Sequence, residues 1–297
     1  MNILIVGLVK NDQLVRLRQE GEKRGHTVHG CYRSDLVIYT DNSEFTPSLR
    51  DKDITSYDLI YIWAVGKSRW EWYTAAYYLK KNYNTIIVNK KTVDPDKNNY
   101  LTPAIDYLTQ IENDLPLPKS AIISKSTSIK SIINKFQFPA VVKISTGHQG
   151  KGVFKLENEE ELVVKVKELE DTAQSLIIRE YIPNDGDIRV FCVGYKAIGA
   201  MKRTPPKGDF RSNISVGGTG DTFNLDSNPK VREIAEIFSQ KMQIEIAGVD
   251  IMINKETNEP YILEINPGPQ FLGLEKFALV NAALEIIKYF ESLYSNR

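Results

Sequence analysis

The chain has 297 residues with 38 basic and 38 acidic side chains, so its formal net charge at pH 7 is zero. A neutral chain without a basic block is not expected to bind nucleic acid or anionic lipid as its main task. No apolar run approaches the roughly 20 residues that a membrane-spanning helix needs, and Met1–Gly7 resembles a strand rather than a signal peptide. The two distant cysteines, Cys31 and Cys192, suit buried thiols in a reducing compartment, so we expect a cytoplasmic protein.

Residues 1–92 alternate short apolar runs with helical stretches, which is typical of an open, parallel α/β sheet. Ligands of such sheets bind beyond the carboxyl ends of the strands. The sequence lacks a G-x-G-x-x-G after the first strand, so the dinucleotide fingerprint is missing. Trp63, Trp70 and Trp72 are expected to pack rather than to bind, with an aromatic acceptor surface as the alternative. The predicted elements are strands at 3–7, 59–62 and 85–89 and helices at 12–24, ended by Gly25, and at 68–81.

Two α+β units are predicted to follow, at 93–182 and 183–297, with a break at Pro183–Gly186 between them. The fold class is therefore α/β, with an N-terminal open sheet and two further lobes. In the first lobe we expect strands at 120–123, 140–144, 153–156 and 175–180 and helices at 126–135 and 158–170. In the second we expect strands at 187–193 and 196–202, a loop at 203–220, a helix at 228–243, a hairpin at 247–266 and a helix from 272 to the end.

The hairpin at 247–266 carries an unusual polar face. If its turn is centred on Thr257, the register predicts Asp250 opposite Glu264, Val249 opposite Ile265, Ile251 opposite Leu263 and Gly248 opposite Asn266. One face is then apolar, and the other brings Asp250, Glu264 and Asn266 together. Two carboxylates directly across a sheet repel each other, and a hard cation such as Mg²⁺ with all-oxygen ligands would explain the arrangement. The alternative is a solvated polar face.

A glycine-rich turn, Thr146–Gly152, joins two predicted strands of the middle lobe, and Lys143 lies on the strand before it. Glycines let backbone N–H groups point into one concavity, which suits phosphate oxygens. The spacing is not that of a Walker A loop. A flexible hairpin turn with a surface lysine is the alternative.

The strand at 177–182 leads directly into the break at 183–186, where a hinge can present backbone groups and Glu180 to a flat ligand such as adenine. The next strand alternates, with Ile188, Val190 and Cys192 on one face and Asp187 and Arg189 on the other. An ion pair between Asp187 and Arg189 within the sheet is a plain alternative to a binding role for them.

The segment 201–213 is rich in cations, glycine and proline, yet it lies between apolar strands. Arginine presents a planar fork that matches carboxylate or phosphate oxygens, so Arg189, Arg203 and Arg211 are candidates to converge on an acidic substrate. The alternative is a solvated basic loop, although long ordered loops in compact domains are often functional.

Taken in order, these segments resemble the ATP-grasp ligases, and most closely the RimK-like amino-acid ligases that glutamylate a ribosomal protein. The resemblance covers about residues 95–275, and the GDFRSN stretch at 208–213 is distinctive of this subgroup. Eight segments in the right order and spacing carry it: Asp96-Lys97, Pro139–Lys143, Thr146–Gly152, Glu180–Ile182, Asp187–Arg189, Gly208–Asn213, Ala247–Ile251 and Glu264–Asn266.

The resemblance implies an ATP-grasp fold in which the lobes 93–182 and 183–297 clasp ATP beside a pre-ATP-grasp domain at 1–92. It implies that Mg²⁺, or Mn²⁺ in its place, accompanies the nucleotide. The residues that it assigns to ATP are Lys97 and Lys143 for the phosphates, Gly147, Gln149, Gly150 and Gly152 in the covering loop, and Glu180, Tyr181, Ile182 and Asp187 around the nucleoside. It assigns the metal to Asp250, Glu264 and Asn266, and the acidic substrate or its oxyanion to Arg189, Arg203, Arg211, Ser212 and Asn213.

The activity that the resemblance implies is the ATP-dependent formation of an amide. A substrate carboxylate attacks the γ-phosphate to give an acylphosphate, and an amine then displaces phosphate through a tetrahedral intermediate. The partners implied are ATP, an acid and an amine, either a small molecule or a peptide or protein tail, and such ligases frequently form homo-oligomers. Two other functions share the nucleotide site: a kinase that phosphorylates a hydroxyl, and a nucleotide-binding regulatory module.

The sequence departs from this family after Asn266, where Pro267–Phe271 replaces an Ala-Ser-Pro-Gly type of turn. Pro103, early in the helix after Lys97, and Lys151 within the glycine loop are also unusual. Because the segment after Asn266 borders the acceptor site, the sequence leaves the identity of the acid and the amine open.

Overall fold

The structure is a computed structural model that describes residues 1–50, 52–89, 91, 102–145, 152–210 and 218–297. These residues form four β-sheets and seven α-helices. The strands are β1 (Asn2–Val6), β2 (Thr27–Cys31), β3 (Leu36–Thr40), β4 (Phe45–Leu49), β5 (Lys52–Asp53), β6 (Leu59–Ile62), β7 (Ile86–Val88), β8 (Ser120–Ile123), β9 (Ala140–Ile144), β10 (Val153–Leu156), β11 (Leu176–Glu180), β12 (Asp187–Val193), β13 (Lys196–Thr204), β14 (Thr219–Thr222), β15 (Ile246–Ile253) and β16 (Pro260–Asn266). The helices are α1 (Asp12–Lys23), α2 (Arg69–Tyr83), α3 (Pro103–Glu112), α4 (Glu159–Leu169), α5 (Pro229–Lys241), α6 (Leu272–Ala278) and α7 (Ala282–Ser295).

The N-terminal sheet is open and parallel, as predicted, with the order β2-β1-β6-β7. Its central strands are buried on both faces, which explains their unbroken apolar sequence. Gly25 has φ +76 directly after the end of α1 and so ends that helix as expected. Sequence reasoning missed β2 and the small antiparallel sheet of β3, β4 and β5. Polar residues interrupt β2 and β4, and β5 has only two residues, so the sequence did not indicate a partner strand for the apolar run of β3.

The middle lobe is an antiparallel sheet of order β10-β9-β11-β8, with α4 packed on one face. The core on that face includes Val142, Leu162 and Ile178. The helix predicted at 126–135 is wrong: the structure has two short 3₁₀ segments, Ser126–Ser131 and Ile133–Lys135. Serine hydroxyls compete for backbone partners in such a stretch, and Ser131 Oγ donates to the carbonyl of Ser128 at 2.7 Å.

The C-terminal lobe is a five-stranded antiparallel sheet of order β14-β13-β12-β15-β16. One face packs on α5 through residues that include Ile188, Val190 and Val249, as the alternation of the sequence predicted. The other face is divided along its length. Phe191 and Ile246 are apolar and join the core of the N-terminal sheet, while the far end of that face is polar and holds the candidate site.

The N-terminal sheet and the C-terminal lobe share one hydrophobic core. Tyr61 of β6 and Leu17 of α1 pack in the same cluster as Phe271 and Phe290. The single helix predicted from residue 272 to the end is wrong, because the chain breaks at Leu279, which has φ +54, and α7 begins after Asn281 caps it. The packing of α7 against α1 attaches the first sheet to the last lobe. The division at 1–92, 93–182 and 183–297 stays a prediction, and its first boundary lies outside the described residues. Each helix in the described ranges is too short or too polar to cross a bilayer.

Candidate active site

Two sheets approach each other where Lys143 of β9 meets Glu264 of β16. Lys143 pairs with Val153 and Ile177 across its own sheet, so its side chain lies on the face opposite the α4 core. Its Nζ lies 3.2 Å from Oε2 of Glu264, and the two side chains are 21% and 42% exposed. The structure therefore brings a residue expected at the ATP phosphates together with one expected at the metal, from different lobes.

The hairpin of β15 and β16 has the predicted register at its polar end. Asp250 pairs with Glu264, Val249 with Ile265 and Gly248 with Asn266. The predicted pairing of Ile251 with Leu263 is wrong, since Ile251 pairs with Ile262 and Leu263 is the extra residue of a β-bulge. The bulge lets Ile262 and Ile265, three residues apart, both enter the α5 core. Glu264 between them is thereby turned toward the middle lobe.

Asp250 is held by two arginines. Arg189 forms a fork on it, with Nε 2.7 Å from Oδ1 and Nη2 2.6 Å from Oδ2, and Nη2 of Arg203 lies 2.9 Å from Oδ2. Burial raises the pKa of Asp250, but Arg189 and then Arg203 outweigh it and lower the pKa to about 2. The carboxylate is therefore ionised at all ordinary pH values.

The ion pairs continue along the sheet to Asp187. Arg203 forms a second fork on it, with Nε 2.6 Å from Oδ1 and Nη2 2.6 Å from Oδ2. The suggested ion pair between Asp187 and Arg189 is not the one formed, because each residue pairs with another strand. Burial raises the pKa of Asp187, against the opposing charge of Arg203. Arg203 is only 4% exposed, so Arg189, whose side chain is 17% exposed, is the better placed of the two arginines to meet a substrate.

The side-chain oxygens on this face have lone pairs that are not used in hydrogen bonds or ion pairs among the described residues, and a hard cation could bind to them. A carboxylate offers about four acceptor positions, and three of those of Asp250 are taken by guanidinium N–H groups. Among the described residues, Glu264 contacts Lys143 at 3.2 Å and accepts a long hydrogen bond from Nδ2 of Asn266 at 3.5 Å. The charge of Lys143 lowers the pKa of Glu264 against the effect of burial, so this group too is ionised. The side-chain oxygens of Asp250, Glu264 and Asn266 are of the kind that Mg²⁺ prefers, and Glu264 has fewer contacts than Asp250.

The strand end expected at the nucleoside is on β11, which pairs with the strand that carries Lys143. Oε1 of Glu180 accepts from the backbone N–H of Lys119 at 2.9 Å. The Nζ of Lys155 stands 4.5 Å from the centre of the Tyr181 ring. Ile182 is buried, and its carbonyl accepts from the side-chain amide of Asn184 at 2.7 Å. These contacts order the strand end that leads from the middle lobe into the hinge.

Several predicted site residues lie outside the described residues, and their roles stay predictions: Lys97, Gly147, Gln149, Gly150, Arg211, Ser212 and Asn213. Gly152, at the end of the glycine loop, is described and has φ +74. A Cβ there would also come within 2.8 Å of the Ile144 side chain, so this position requires glycine.

Asp106 of α3 is a buried group of this region that sequence reasoning missed. Burial, followed by the charge of Glu264, raises its pKa from 3.8 to about 7, against the charges of Lys91 and Lys143 and a hydrogen bond from the N–H of Ile265. Burial also lowers the pKa of Lys91. The available signal was a carboxylate on the face of α3 that also carries the buried Gln110.

The turn after Asn266, where the sequence departs from the family, is held by the N-terminal domain. The hydroxyl of Tyr61 and the side-chain amide of Asn89 both donate to the carbonyl of Pro267 at 2.9 Å. A Cβ on Gly268 would lie 2.2 Å from the carbonyl oxygen of Trp63, so the two segments touch backbone to backbone. Trp63 is buried here and packs on Phe271.

Of the other two tryptophans, Trp72 is 1% exposed and donates to the carbonyl of Arg33, whereas Trp70 is 47% exposed. The expectation that these tryptophans pack rather than bind therefore agrees with the burial of Trp63 and Trp72.

Comparison with known proteins places this geometry in a family. The model of the RimK-like ATP-grasp domain matches residues 104–290. A protein from Shewanella sp. (strain W3-18-1), named "Probable alpha-L-glutamate ligase 1", is 33% identical over 184 residues, which are 61% of this chain and 60% of that protein. The chain thus matches less than two thirds of the length of this curated relative.

Two solved structures illustrate the likeness in fold. The ATP-grasp ligase PsnB, complexed with a phosphomimetic variant of its minimal precursor, Mg and ADP, superimposes with a TM-score of 0.74 at 15% identity, over 98% of both chains. D-cycloserine synthetase DcsG gives 0.69 at 11% identity, over 99% of this chain and 100% of that one. The fold predicted from the sequence is confirmed by these neighbours.

Proposed function

Because the chain belongs to the RimK-like ATP-grasp family, we propose that the protein is an ATP- and Mg²⁺-dependent carboxylate–amine ligase that forms an amide through an acylphosphate. The observation that carries the proposal is the meeting of Lys143 with the carboxylate face of β15 and β16. A lysine lies beside a set of carboxylate and amide oxygens, and a nucleoside triphosphate with its cation needs a group of each kind. The alternatives of a kinase and a regulatory module are not favoured, because the named relatives are ligases and a synthetase.

The nucleotide is proposed to lie with its base at the end of β11 and its phosphates at Lys143. Glu180 and the backbone of Tyr181 and Ile182 would face the nucleoside, and Lys97 with the loop 146–152 would cover the phosphates. Asp250, Glu264 and Asn266 would hold Mg²⁺, which supplies neutralisation of the charge on the phosphates. We propose that Mn²⁺ can replace it at the same oxygen donors.

Arg189 is the described arginine best placed to receive the acid. Its guanidinium already lies on Asp250, so a substrate carboxylate bound there would stand beside the phosphate site. A fixed guanidinium lowers the energy of charge that develops on oxygen without reorganising during the reaction. Arg203 would act mainly by holding Asp250, and Arg211 with Ser212 and Asn213 would complete the substrate side.

The proposed reaction has two steps. A carboxylate oxygen of the acid attacks the γ-phosphorus and ADP leaves, which gives the acylphosphate. The amine nitrogen then attacks the carbonyl carbon and loses a proton, and phosphate leaves with the oxygen that came from the acid. The protein's part is to align the two reactants and to screen the charges that would otherwise keep a carboxylate away from a triphosphate.

The substrates are proposed at the level of class. An amino acid such as glutamate is the proposed amine, and a peptide tail, a protein tail or a small acid is the proposed acceptor. The turn 267–271 and the N-terminal domain that holds it would shape the acceptor pocket, because they border Arg189 through Pro269 and Gly248. We further propose a cytoplasmic location, in keeping with the buried free thiols of Cys31 and Cys192, and assembly into a homo-oligomer.

The test is ADP formation from MgATP by the purified protein. The amino acids are supplied singly and in pairs, and then together with peptides that end in a carboxylate. ADP that forms only when an acid and an amine are both present, with the matching amide found by mass spectrometry, supports the proposal. ADP that forms with a hydroxyl compound alone contradicts it and indicates a kinase, and bound but unconsumed ATP under every condition indicates a regulatory module.

A further inference from the structure

Arg179 is a buried arginine that follows three apolar residues of β11. It is 8% exposed and pairs with Val141 across the sheet, so it lies on the same face as Lys143. The next three residues are those proposed to hold the nucleoside. Arg179 therefore lies between the two proposed halves of the nucleotide site.

The partners of Arg179 are neutral. Its Nη2 donates to the hydroxyl of Tyr107 at 2.8 Å and to the carbonyl of Leu263 at 3.1 Å, and its Nε donates to Oγ of Ser120 at 3.4 Å. Within the described ranges of the chain, no carboxylate forms an ion pair with it. Buried arginines are usually paired with an acid, so this one has a different task.

Leu263 is the bulged residue of β16, and Arg179 reaches it from the middle lobe. The extra residue of a bulge is not paired in the ladder, so its carbonyl needs a partner from elsewhere. The bulge also determines the direction of the next side chain, Glu264, because a change in pairing by one residue would turn it to the other face. A guanidinium on this carbonyl therefore acts on the orientation of Glu264.

The outer edge of β16 is held at two neighbouring points as well. The N–H of Ile262 donates to the carbonyl of Pro116 at 2.9 Å, and the N–H of Ile265 donates to Asp106. Ile262 and Ile265, on either side of Glu264, are thus both held by residues that come before the C-terminal lobe in the chain.

We propose that Arg179 is a positioning residue that holds the bulge at Leu263 and so aims the Glu264 carboxylate at the cation. The inference rests on the proposed function, since it takes the cation to be held at Glu264. Arg179 directly precedes Glu180 in β11 and donates to Leu263 in β16. It therefore links the strand proposed to bind the nucleoside to the strand proposed to bind the metal.

The test uses Arg179→Met, which keeps an apolar stem and loses every donor, and Arg179→Lys, which restores one donor. Tyr107→Phe is a milder variant that removes one of the groups holding the guanidinium. The matched control is Arg18→Met, because Nε of Arg18 also donates to a backbone carbonyl, that of Val28 at 3.0 Å, but in the N-terminal domain.

Two readouts do not depend on turnover. Hydrogen exchange of the amides in 260–266, without nucleotide or metal, is expected to be faster in Arg179→Met than in the wild type and the control. The affinity for Mn²⁺ with ADP present, measured by electron paramagnetic resonance, is expected to fall by about tenfold or more, as for other groups that orient metal ligands. Arg179→Lys should recover part of both effects, and Tyr107→Phe should show a smaller change in the same direction.

Unchanged exchange and unchanged Mn²⁺ affinity in both Arg179→Met and Tyr107→Phe would overturn the inference. An equal loss in Arg18→Met would overturn it as well, because the effect would then be one of general stability. Failure of the proposed function is a separate result: the wild-type protein with ADP would not bind Mn²⁺ at all, while hydrogen exchange would still report whether Arg179 holds the bulge.

Discussion

Lys143 and Glu264 form an ion pair between two sheets, with Nζ 3.2 Å from Oε2 and neither side chain fully buried. A pair that remains partly in contact with water gains little net free energy, so its members can exchange partners at low cost. In the proposed complex Lys143 would pass to a phosphate and Glu264 to the cation. The pair therefore holds the two side chains next to the positions proposed for the phosphates and the cation.

Replacing Lys143 should weaken nucleotide binding with little effect on folding. We expect Lys143→Met to raise the Kd for ADP by about tenfold or more, because one charge-assisted contact to phosphate is lost. Calorimetric titration measures this. The matched control is Lys196→Met, which removes an exposed lysine from its pair with Glu236 far from the opening. An equal Kd in the wild type and Lys143→Met would exclude Lys143 from the phosphate site.

Substitutions of Asp250 and of Glu264 should affect the stability of the protein differently, although both residues are proposed to bind the metal. Asp250→Asn removes the charge that faces two nearly buried guanidinium groups, so we expect the free energy of unfolding to fall by about 3 kcal/mol. Glu264→Gln should change it by less than about 1 kcal/mol, since the pair with Lys143 is partly exposed. Urea unfolding measures both values, and ADP formation should be lost in both variants. Wild-type turnover in Glu264→Gln would remove this residue from the metal site.

Arg203 should be mainly structural, in contrast to Arg189. Arg203→Met leaves Asp187 without its fork and Asp250 with one arginine fewer, so we expect a loss of about 3–5 kcal/mol in urea unfolding. Arg189→Met leaves Asp250 paired with Arg203 and should instead raise the KM for the acid substrate. If Arg189→Met is the more destabilised variant and binds the acid normally, Arg189 has the structural role and Arg203 is the candidate for binding the substrate.

Asp106 should make the stability of the nucleotide-free protein depend on pH. Its pKa in the folded protein is raised from 3.8 to about 7, so the folded state binds more protons between these values than the unfolded state. The contribution of Asp106 is therefore fully present below about pH 4 and is lost as the pH rises through about 7. Urea unfolding at pH 5 and pH 8 should show a drop on the order of 2 kcal/mol in the wild type and a much smaller one in Asp106→Asn. The same drop in both proteins would show that other groups cause it.

Short-range patterns were sufficient to predict much of the fold. The unbroken apolar runs of β1 and β6 reflect burial on both faces of their sheet. The alternation at the start of β12 reflects one face packed on α5 and another that is polar at that end. The predicted helix at 126–135 failed because serine and β-branched residues weaken a helix that apolar spacing alone would allow. The break at Leu279 was missed because a leucine rarely adopts a positive φ, so its residue type gives no local signal of a break.

The candidate site was predictable where it lies within one hairpin. Asp250 and Glu264 are 14 residues apart, and the turn fixes their pairing, so the sequence was enough. The bulge at Leu263 was not predicted, because the groups that contact its backbone, among them Arg179, are distant from it in the chain. For the same reason the pairing of Arg203 with Asp187 and Asp250 was missed: it joins three strands whose order the sequence does not reveal.

The most direct test of the central claim follows one oxygen atom. The acid substrate identified in the ADP screen is labelled with ¹⁸O in its carboxylate, and the phosphate released with the amine present is examined by mass spectrometry. Carboxylate-activating ligation through an acylphosphate predicts one ¹⁸O in each phosphate formed and one lost from the acid when the amide appears. Unlabelled phosphate would contradict the account, whether an amide forms or the acid is recovered with both of its labelled oxygens.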